Sequence, residues 1–204
     1  MSPKVSDEYK EKKRIELLLA AKRVFERKGY EPATMADIIE EAGISRGTIY
    51  LYFSSVDEIF ESLLDYLEQQ GQFNIEEYIN HFPSIWSAVQ NFLTLQQQAI
   101  VHIDKGMIPV IFEYSVISWR DVDKREQLVL RNKKSKQIIF QLFEAGINSG
   151  EFTPARETIT IIDFLLSYLN GITFETLNVG INEQKITEQM EFLQDILRRE
   201  LGVV

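Results

Sequence analysis

Four side chains capable of hydrogen bonding or ionic contact are concentrated in one short segment: Arg46, Thr48, Tyr50 and Tyr52. Ser45 precedes them and suits the N-terminal cap of a short helix. Ile49 and Phe53 lie four residues apart and would form its inner face, which leaves the polar side chains outside. An arginine can bond guanine O6 and N7, and a threonine offers a base either its hydroxyl or its methyl group. The pattern indicates a helix that inserts into the major groove of DNA.

The neighbouring sequence predicts the elements that would position this helix. Thr34 and Asp37 have the spacing of a capping box, which opens a short helix that runs through Ala42. Gly43 ends that helix, and the next one is expected from Arg46 to Phe53, so the pair has helix-turn-helix spacing. An amphipathic helix over residues 8–28 precedes the pair, and a capping box at 55–58 starts another helix after it.

Charge is distributed unevenly along the 204 residues, whose formal net charge is −9. Residues 1–53 carry ten basic and nine acidic side chains, whereas residues 54–204 carry twelve and twenty-two. Such an acidic second part would be repelled by DNA and would leave the first part as the docking surface. Lys10, Lys12, Lys13 and Arg14 form a basic cluster in the first helix.

Composition excludes several classes of function. The chain has no cysteine, so it has neither a disulfide framework nor a thiolate metal site. It has no paired metal-binding histidines, no glycine-rich phosphate loop and no nucleophile elbow, so we expect no enzymatic activity, metal or cofactor. No apolar stretch is long enough to span a bilayer, which predicts a cytoplasmic protein without a membrane partner.

Beyond residue 74 the sequence consists of helix patterns separated by proline and glycine. Helices are expected over 84–104, 107–120, 122–149, 155–178 and 183–201. The dipeptides that favour β-hairpins are absent. The sequence therefore predicts an all-α fold, with a helix-turn-helix domain over 1–55 and a second helical domain over 56–204.

Residues 28–60, KGYEPATMADIIEEAGISRGTIYLYFSSVDEIF, closely resemble the DNA-binding domain of the TetR/AcrR family of bacterial transcriptional regulators. The resemblance implies a three-helix DNA-binding head and a C-terminal domain for effector binding and dimerisation. It implies a homodimer, most often a repressor, that a small molecule releases from a palindromic operator. Two other interpretations remain open: a helical carrier or enzyme with an incidental helix-turn-helix, and a DNA-binding protein without an effector.

By position, the resemblance assigns seven residues to DNA contact: Thr34, Ser45, Arg46, Gly47, Thr48, Tyr50 and Tyr52. Lys12 and Lys13 are added as candidates from the basic cluster of the first helix, because phosphate binding needs positive charge. Arg46 and Thr48 are the candidates for base contact. The hydroxyl groups of Thr34, Ser45, Tyr50 and Tyr52 are candidates for phosphate contact, and Gly47 would allow close approach of the backbone. The family often has a phosphate-binding lysine at the start of the fourth helix, where this chain has Val56 and Asp57. We expect the cationic first helix to compensate and to dominate the salt dependence of binding.

The second domain supplies candidates for the effector and for the dimer. Aromatic rings with a few polar groups are typical of ligand pockets and give seven candidates for a hydrophobic effector: Trp86, His102, Phe112, Glu113, Trp119, Phe164 and Tyr168. The last two helices carry apolar residues on more than one face, which favours a partner helix. The candidates for the dimer interface are Ile162, Leu166, Leu169, Leu193, Ile196 and Leu197.

Overall fold

Ten α-helices make up most of the described chain. The structure, a computed structural model, describes residues 7–70 and 74–203. Residues 1–6, 71–73 and 204 of the two predicted domains lie outside the described residues. The helices are Asp7–Lys28 (α1), Met35–Ala42 (α2), Arg46–Ile49 (α3), Val56–Gln70 (α4), Ile75–Asn80 (α5), Ile85–Val101 (α6), Ile108–Ile117 (α7), Val122–Asn148 (α8), Thr158–Val179 (α9) and Glu183–Glu200 (α10). The predicted all-α fold is confirmed, since the described residues contain no strand.

Two elements differ from the sequence prediction. The recognition helix α3 ends at Ile49 instead of Phe53, and residues 50–52 continue as turns in which Tyr52 and Phe53 donate their N–H groups to the Ile49 carbonyl. Helix α5 was not predicted, although Asn74 caps it by accepting the N–H groups of Glu76 and Glu77. With six residues, α5 is too short to show an amphipathic period.

The helices divide into two compact units at a position that differs from the predicted boundary. One unit, called here the head, holds α1 to α4 together with residues 105–118, which include α7. The other, called the body, holds α5, α6, α8, α9 and α10. The predicted boundary after residue 55 lies between α3 and α4, whereas this division places α4 and α7 in the same unit as α1 to α3.

An aromatic cluster explains why α4 and α7 belong to the head. Phe60 of α4 packs with its ring centroid 5.0 Å from Phe25 and 4.7 Å from Tyr114 of α7. Tyr30 lies 4.8 Å from both Phe60 and Tyr114. Buried ring pairs at these distances contribute about 0.5–1.5 kcal/mol each beyond the area that they bury, so the cluster ties both helices to α1.

The body has its own core, formed where α6, α8, α9 and α10 meet. Val89, Phe143, Leu165 and Leu193, one from each of these helices, are fully buried in it. The Glu151 carboxylate, beyond the end of α8, accepts the N–H groups of Ile85 and Trp86 at 2.8 Å each. A carboxylate stabilises a helix N-terminus through these orphan donors and the helix dipole.

A helix that crosses a membrane must be both long and apolar. Within residues 7–70 and 74–203, none is both long enough and apolar enough to cross a bilayer.

Candidate DNA-binding surface and effector domain

Three side chains stabilise the N-terminus of α2, those of Thr34, Asp37 and Lys28. The Thr34 hydroxyl accepts the N–H of Asp37 at 3.2 Å and donates to the Asp37 carboxylate at 2.7 Å, while that carboxylate accepts the Thr34 N–H at 3.0 Å. Lys28 of α1 pairs with the same carboxylate at 2.6 Å. The Lys28 ammonium and the Thr34 hydroxyl lower the pKa of Asp37 from 3.8 to about 2. The predicted capping box is therefore present, and it is also linked to α1.

The turn between α2 and α3 depends on Gly43. This residue has φ +62° and ψ +36°, a left-handed conformation that glycine adopts without steric cost. Its N–H donates to the Glu40 carbonyl at 3.2 Å, and the Ile44 N–H donates to Ile39 at 3.3 Å. These bonds close the end of α2 in the manner of a glycine C-cap and direct the chain into α3.

Helix α3 presents a short outward surface above one buried residue. Ile49 is fully buried, whereas Arg46 and Gly47 are exposed and Tyr50 is 46% exposed. The Arg46 guanidinium lies over the Tyr50 ring, 5.7 Å from its centroid. This stacking orders a long cationic side chain on the surface.

Two of the hydroxyl groups predicted to contact DNA, those of Thr34 and Ser45, are already engaged in helix caps. Ser45 Oγ accepts the N–H of Thr48 at 3.2 Å, and the two hydroxyl groups lie 2.8 Å apart. Thr34 uses its hydroxyl in the α2 cap in the same way. Tyr52 is half-buried, and in the sequence it follows Arg46, Thr48 and Tyr50 closely. Arg46 and Thr48 therefore lie on α3, and Tyr50 and Tyr52 lie on the turn that follows it.

Most of the described basic residues of the head form ion pairs with carboxylates. Lys13 pairs with Glu16 at 2.9 Å, which raises the pKa of Lys13. Arg23 and Arg27 both bond Glu41 of α2, at 2.7 and 3.1 Å, and these two guanidinium groups lower the pKa of Glu41. Lys12 is exposed and has no carboxylate partner among the described residues.

The seven effector candidates are divided between the two units. Phe112 and Glu113 belong to the head, and the other five belong to the body or its helix ends. Trp119 and Phe164 are largely exposed, and His102 is exposed at the end of α6. Trp86 is buried in the core with its Nε1 atom lacking an acceptor within the described residues, and Tyr168 donates to the Gln189 carbonyl at 3.3 Å.

Glu113 has a structural role that sequence reasoning missed. Its carboxylate accepts the N–H groups of Tyr30 at 2.7 Å and Glu31 at 3.1 Å. The preceding Gly29 has φ +91°, and a Cβ atom there would lie 2.8 Å from Glu113 Oε2. The carboxylate thus fixes the chain just before α2. Its partners are more than eighty residues away in sequence, so no local signal indicates the contact.

The predicted dimer residues lie largely inside the single chain. Four of the six are buried within a single chain: Ile162, Leu169, Leu193 and Leu197. Leu166 and Ile196 are half-buried. The helical period identified the apolar faces of α9 and α10 correctly, but those faces pack on the body core. The outward rings are Phe164, Phe174 and Phe192, which are 41%, 58% and 59% exposed.

The capped helix pair with an outward Arg46 defines a helix-turn-helix protein, and the known proteins that it resembles agree. Residues 17–63 match the profile of bacterial regulatory proteins of the tetR family, and residues 88–187 match a tetracyclin repressor-like C-terminal domain. The uncharacterized HTH-type transcriptional regulator YfiR of Bacillus subtilis is 38% identical over 172 residues, covering 84% of this chain and 83% of that protein.

Two further relatives extend the comparison. The HTH-type transcriptional repressor KstR2 of Mycolicibacterium smegmatis is 24% identical over 157 residues, covering 75% of this chain and 74% of that protein. The crystal structure of the regulator FadR from Bacillus subtilis in complex with stearoyl-CoA superimposes with a TM-score of 0.64 at 20% identity, covering 88% of this chain and 96% of that one.

The chain belongs to the TetR family of bacterial transcriptional regulators. It is a DNA-binding regulator of the ligand-responsive kind, as the resemblance of residues 28–60 implied. The family consists of regulators that bind operator DNA, form dimers and bind small molecules, and it is not a family of enzymes.

Proposed function

We propose that the protein is a homodimeric repressor that binds a palindromic operator through the head and leaves it when the body binds a hydrophobic small molecule. The observation that carries the proposal is the recognition helix itself. Arg46 is exposed, has no carboxylate partner among the described residues, and is ordered against Tyr50 beside a capped turn. A guanidinium held in this way is suited to the O6 and N7 atoms of a guanine.

Phosphate contacts would surround that base contact. Lys12 offers a cation that forms no direct ion pair among the described residues, although its charge also lowers the pKa of Glu16, and Lys13 would have to leave Glu16. Thr34 and Ser45 keep the first turns of α2 and α3 in place, and Gly47 lets the DNA backbone approach closely. Thr48 and Tyr52 complete the surface beside Tyr50.

The effector would be hydrophobic. Trp86 adds one polar requirement, because its buried Nε1–H has no acceptor among the described residues, and an effector that carries an acceptor would remove the free-energy cost of that unpaired donor. FadR of Bacillus subtilis, which shares the fold, was crystallised with stearoyl-CoA. Stearoyl-CoA is therefore a suitable first probe, and quenching of tryptophan fluorescence together with release of bound DNA would be expected if it binds.

The dimer would form through the outward face of α9 and α10. Phe164, Ser167, Gly171, Phe174 and Asn178 recur at spacings of three and four along α9, and all are exposed. A groove of about 390 Å³ lies between the start of α9 and the end of α10, with Phe164 and Ile196 in its lining. A two-fold dimer would place two recognition helices on half-sites about 34–36 Å apart.

The proposed function is tested by selecting genomic DNA fragments with the purified protein at about 0.15 M salt, where exposed charges are screened as in the cell. A short inverted repeat is the expected product. Arg46→Ala should lose the enrichment, whereas Arg125→Ala, which removes an exposed arginine of the body, should retain it. Equal enrichment by wild type and Arg46→Ala would contradict the assignment of α3 to base contact.

A further inference from the structure

Leu51 stands out on the recognition segment because it is 81% exposed, more than any other large hydrophobic side chain in the described residues. Its backbone is ordered, since the Leu51 N–H donates to the Thr48 carbonyl at 3.2 Å and the next two residues bond back to Ile49. The leucine is therefore presented by a hydrogen-bonded turn. A single exposed leucine is ordinary on a protein surface, so its place next to Tyr50 is what gives it significance.

The side chains next to Leu51 offer both polar and apolar groups. The Thr48 hydroxyl lies 2.8 Å from that of Ser45, so one of its hydrogen bonds is already made, and its methyl group adds an apolar contact next to it. Arg46 covers the Tyr50 ring and supplies the positive charge of the segment. Beside the hydrogen-bonding groups of Arg46, Tyr50 and Tyr52, the recognition segment therefore offers one strongly exposed apolar side chain, that of Leu51.

The apolar group that base edges present in the major groove is the C5 methyl of thymine. We infer that Leu51 packs against such a methyl group in each operator half-site and thereby helps to select an A·T pair at that position. The inference rests on the proposed use of the α3 segment in base contact. It makes Leu51 a specificity-determining residue, in addition to Arg46.

The test uses the operator obtained by genomic selection and a set of copies in which each thymine is replaced in turn by deoxyuridine, which lacks only the methyl. Burying one such group is worth about 0.8 kcal/mol, or about fourfold in the dissociation constant. Wild type should lose about fourfold at one thymine per half-site, and on the order of 15-fold when both half-sites are changed. Leu51→Ala should bind the thymine operator more weakly and show no further loss on the deoxyuridine operator.

The controls separate this inference from the proposed function. Leu95→Ala removes another exposed leucine, 50% exposed on α6 of the body, and should retain the full methyl effect. Wild type that binds the operator but tolerates every deoxyuridine would overturn the inference and leave the proposed operator binding intact. A methyl effect that Leu51→Ala preserves in full would assign the thymine to another residue, and failure of wild type to select any operator would overturn both.

Discussion

Lys12 and Lys13 are adjacent in sequence but differ in the charge that they can offer to DNA. Lys13 is held by Glu16 at 2.9 Å, whereas Lys12 is exposed and has no carboxylate partner among the described residues. A lysine that is already neutralised by a carboxylate releases fewer counterions from DNA when it binds. The overall charge of the head is thus a poor guide to its phosphate contacts.

Replacing Lys12 by alanine should therefore reduce the salt dependence of operator binding more than replacing Lys13. One phosphate contact adds about 0.9 to the slope of log affinity against log salt, so Lys12→Ala should lower the slope by about that amount. Lys13→Ala should lower it by less. Fluorescence anisotropy at several salt concentrations measures both slopes, and unchanged slopes in both variants would remove the start of α1 from the interface.

Asp37 connects the elements of the helix-turn-helix and makes α2 sensitive to acid. Its pKa in the folded protein is about 2, against an ordinary 3.8. A depressed pKa stabilises the fold above the ordinary value, and the contribution is lost as pH falls through the folded value. The ion pair with Lys28 should therefore fail between about pH 4 and pH 2.

Asp37→Asn tests this link, because asparagine can still accept the Thr34 N–H but cannot form the ion pair. Above pH 4 the variant should melt at a lower temperature than wild type. The difference in melting temperature should shrink as pH falls towards 2. A constant difference across that range would show that the ion pair does not contribute to stability.

Glu113 joins α7 to the chain that enters α2. Glu113→Ala would leave the Tyr30 and Glu31 N–H groups without their carboxylate, so we expect a loss of about 1–2 kcal/mol in the free energy of unfolding. Glu113→Gln keeps an acceptor and should lose less. Urea denaturation measures both, with Glu40→Ala, an exposed glutamate of α2, as the matched control. Equal stability of Glu113→Ala and Glu40→Ala would contradict the role assigned to Glu113.

Local contacts explain which parts of these elements the sequence could predict. Thr34 and Ser45 cap helices through bonds to residues three positions away, so their spacing was sufficient. The hydrogen bond from the Tyr30 N–H to the Glu113 carboxylate joins residues 83 positions apart, so it leaves no periodic pattern in the sequence. The end of α3 was also missed, because Tyr52 and Phe53 continue the turn by bonds to the same Ile49 carbonyl.

Sequence patterns also leave undetermined what the apolar faces of α9 and α10 contact in the whole molecule. Periodicity identifies that a face is apolar, but Leu193 and Leu197 show that it does not say whether the face meets the chain's own core or a partner. The exposed rings of Phe174 and Phe192 remain outside that core. Large apolar side chains left exposed together are typical of interaction sites.

Phe174→Glu should therefore dissociate the proposed dimer without unfolding the body. The ring is 58% exposed in the single chain, so a carboxylate there would remain hydrated in the monomer but would be buried in the dimer, where an unpaired charge is costly. Sedimentation equilibrium should show a shift to monomer, and circular dichroism should show unchanged helix content. Leu95→Glu makes the same kind of change at an exposed leucine of α6 and should stay dimeric. Because a monomer presents one recognition helix, Phe174→Glu should also lose the preference for two half-sites over one, and a dimeric variant with intact preference would place the interface elsewhere.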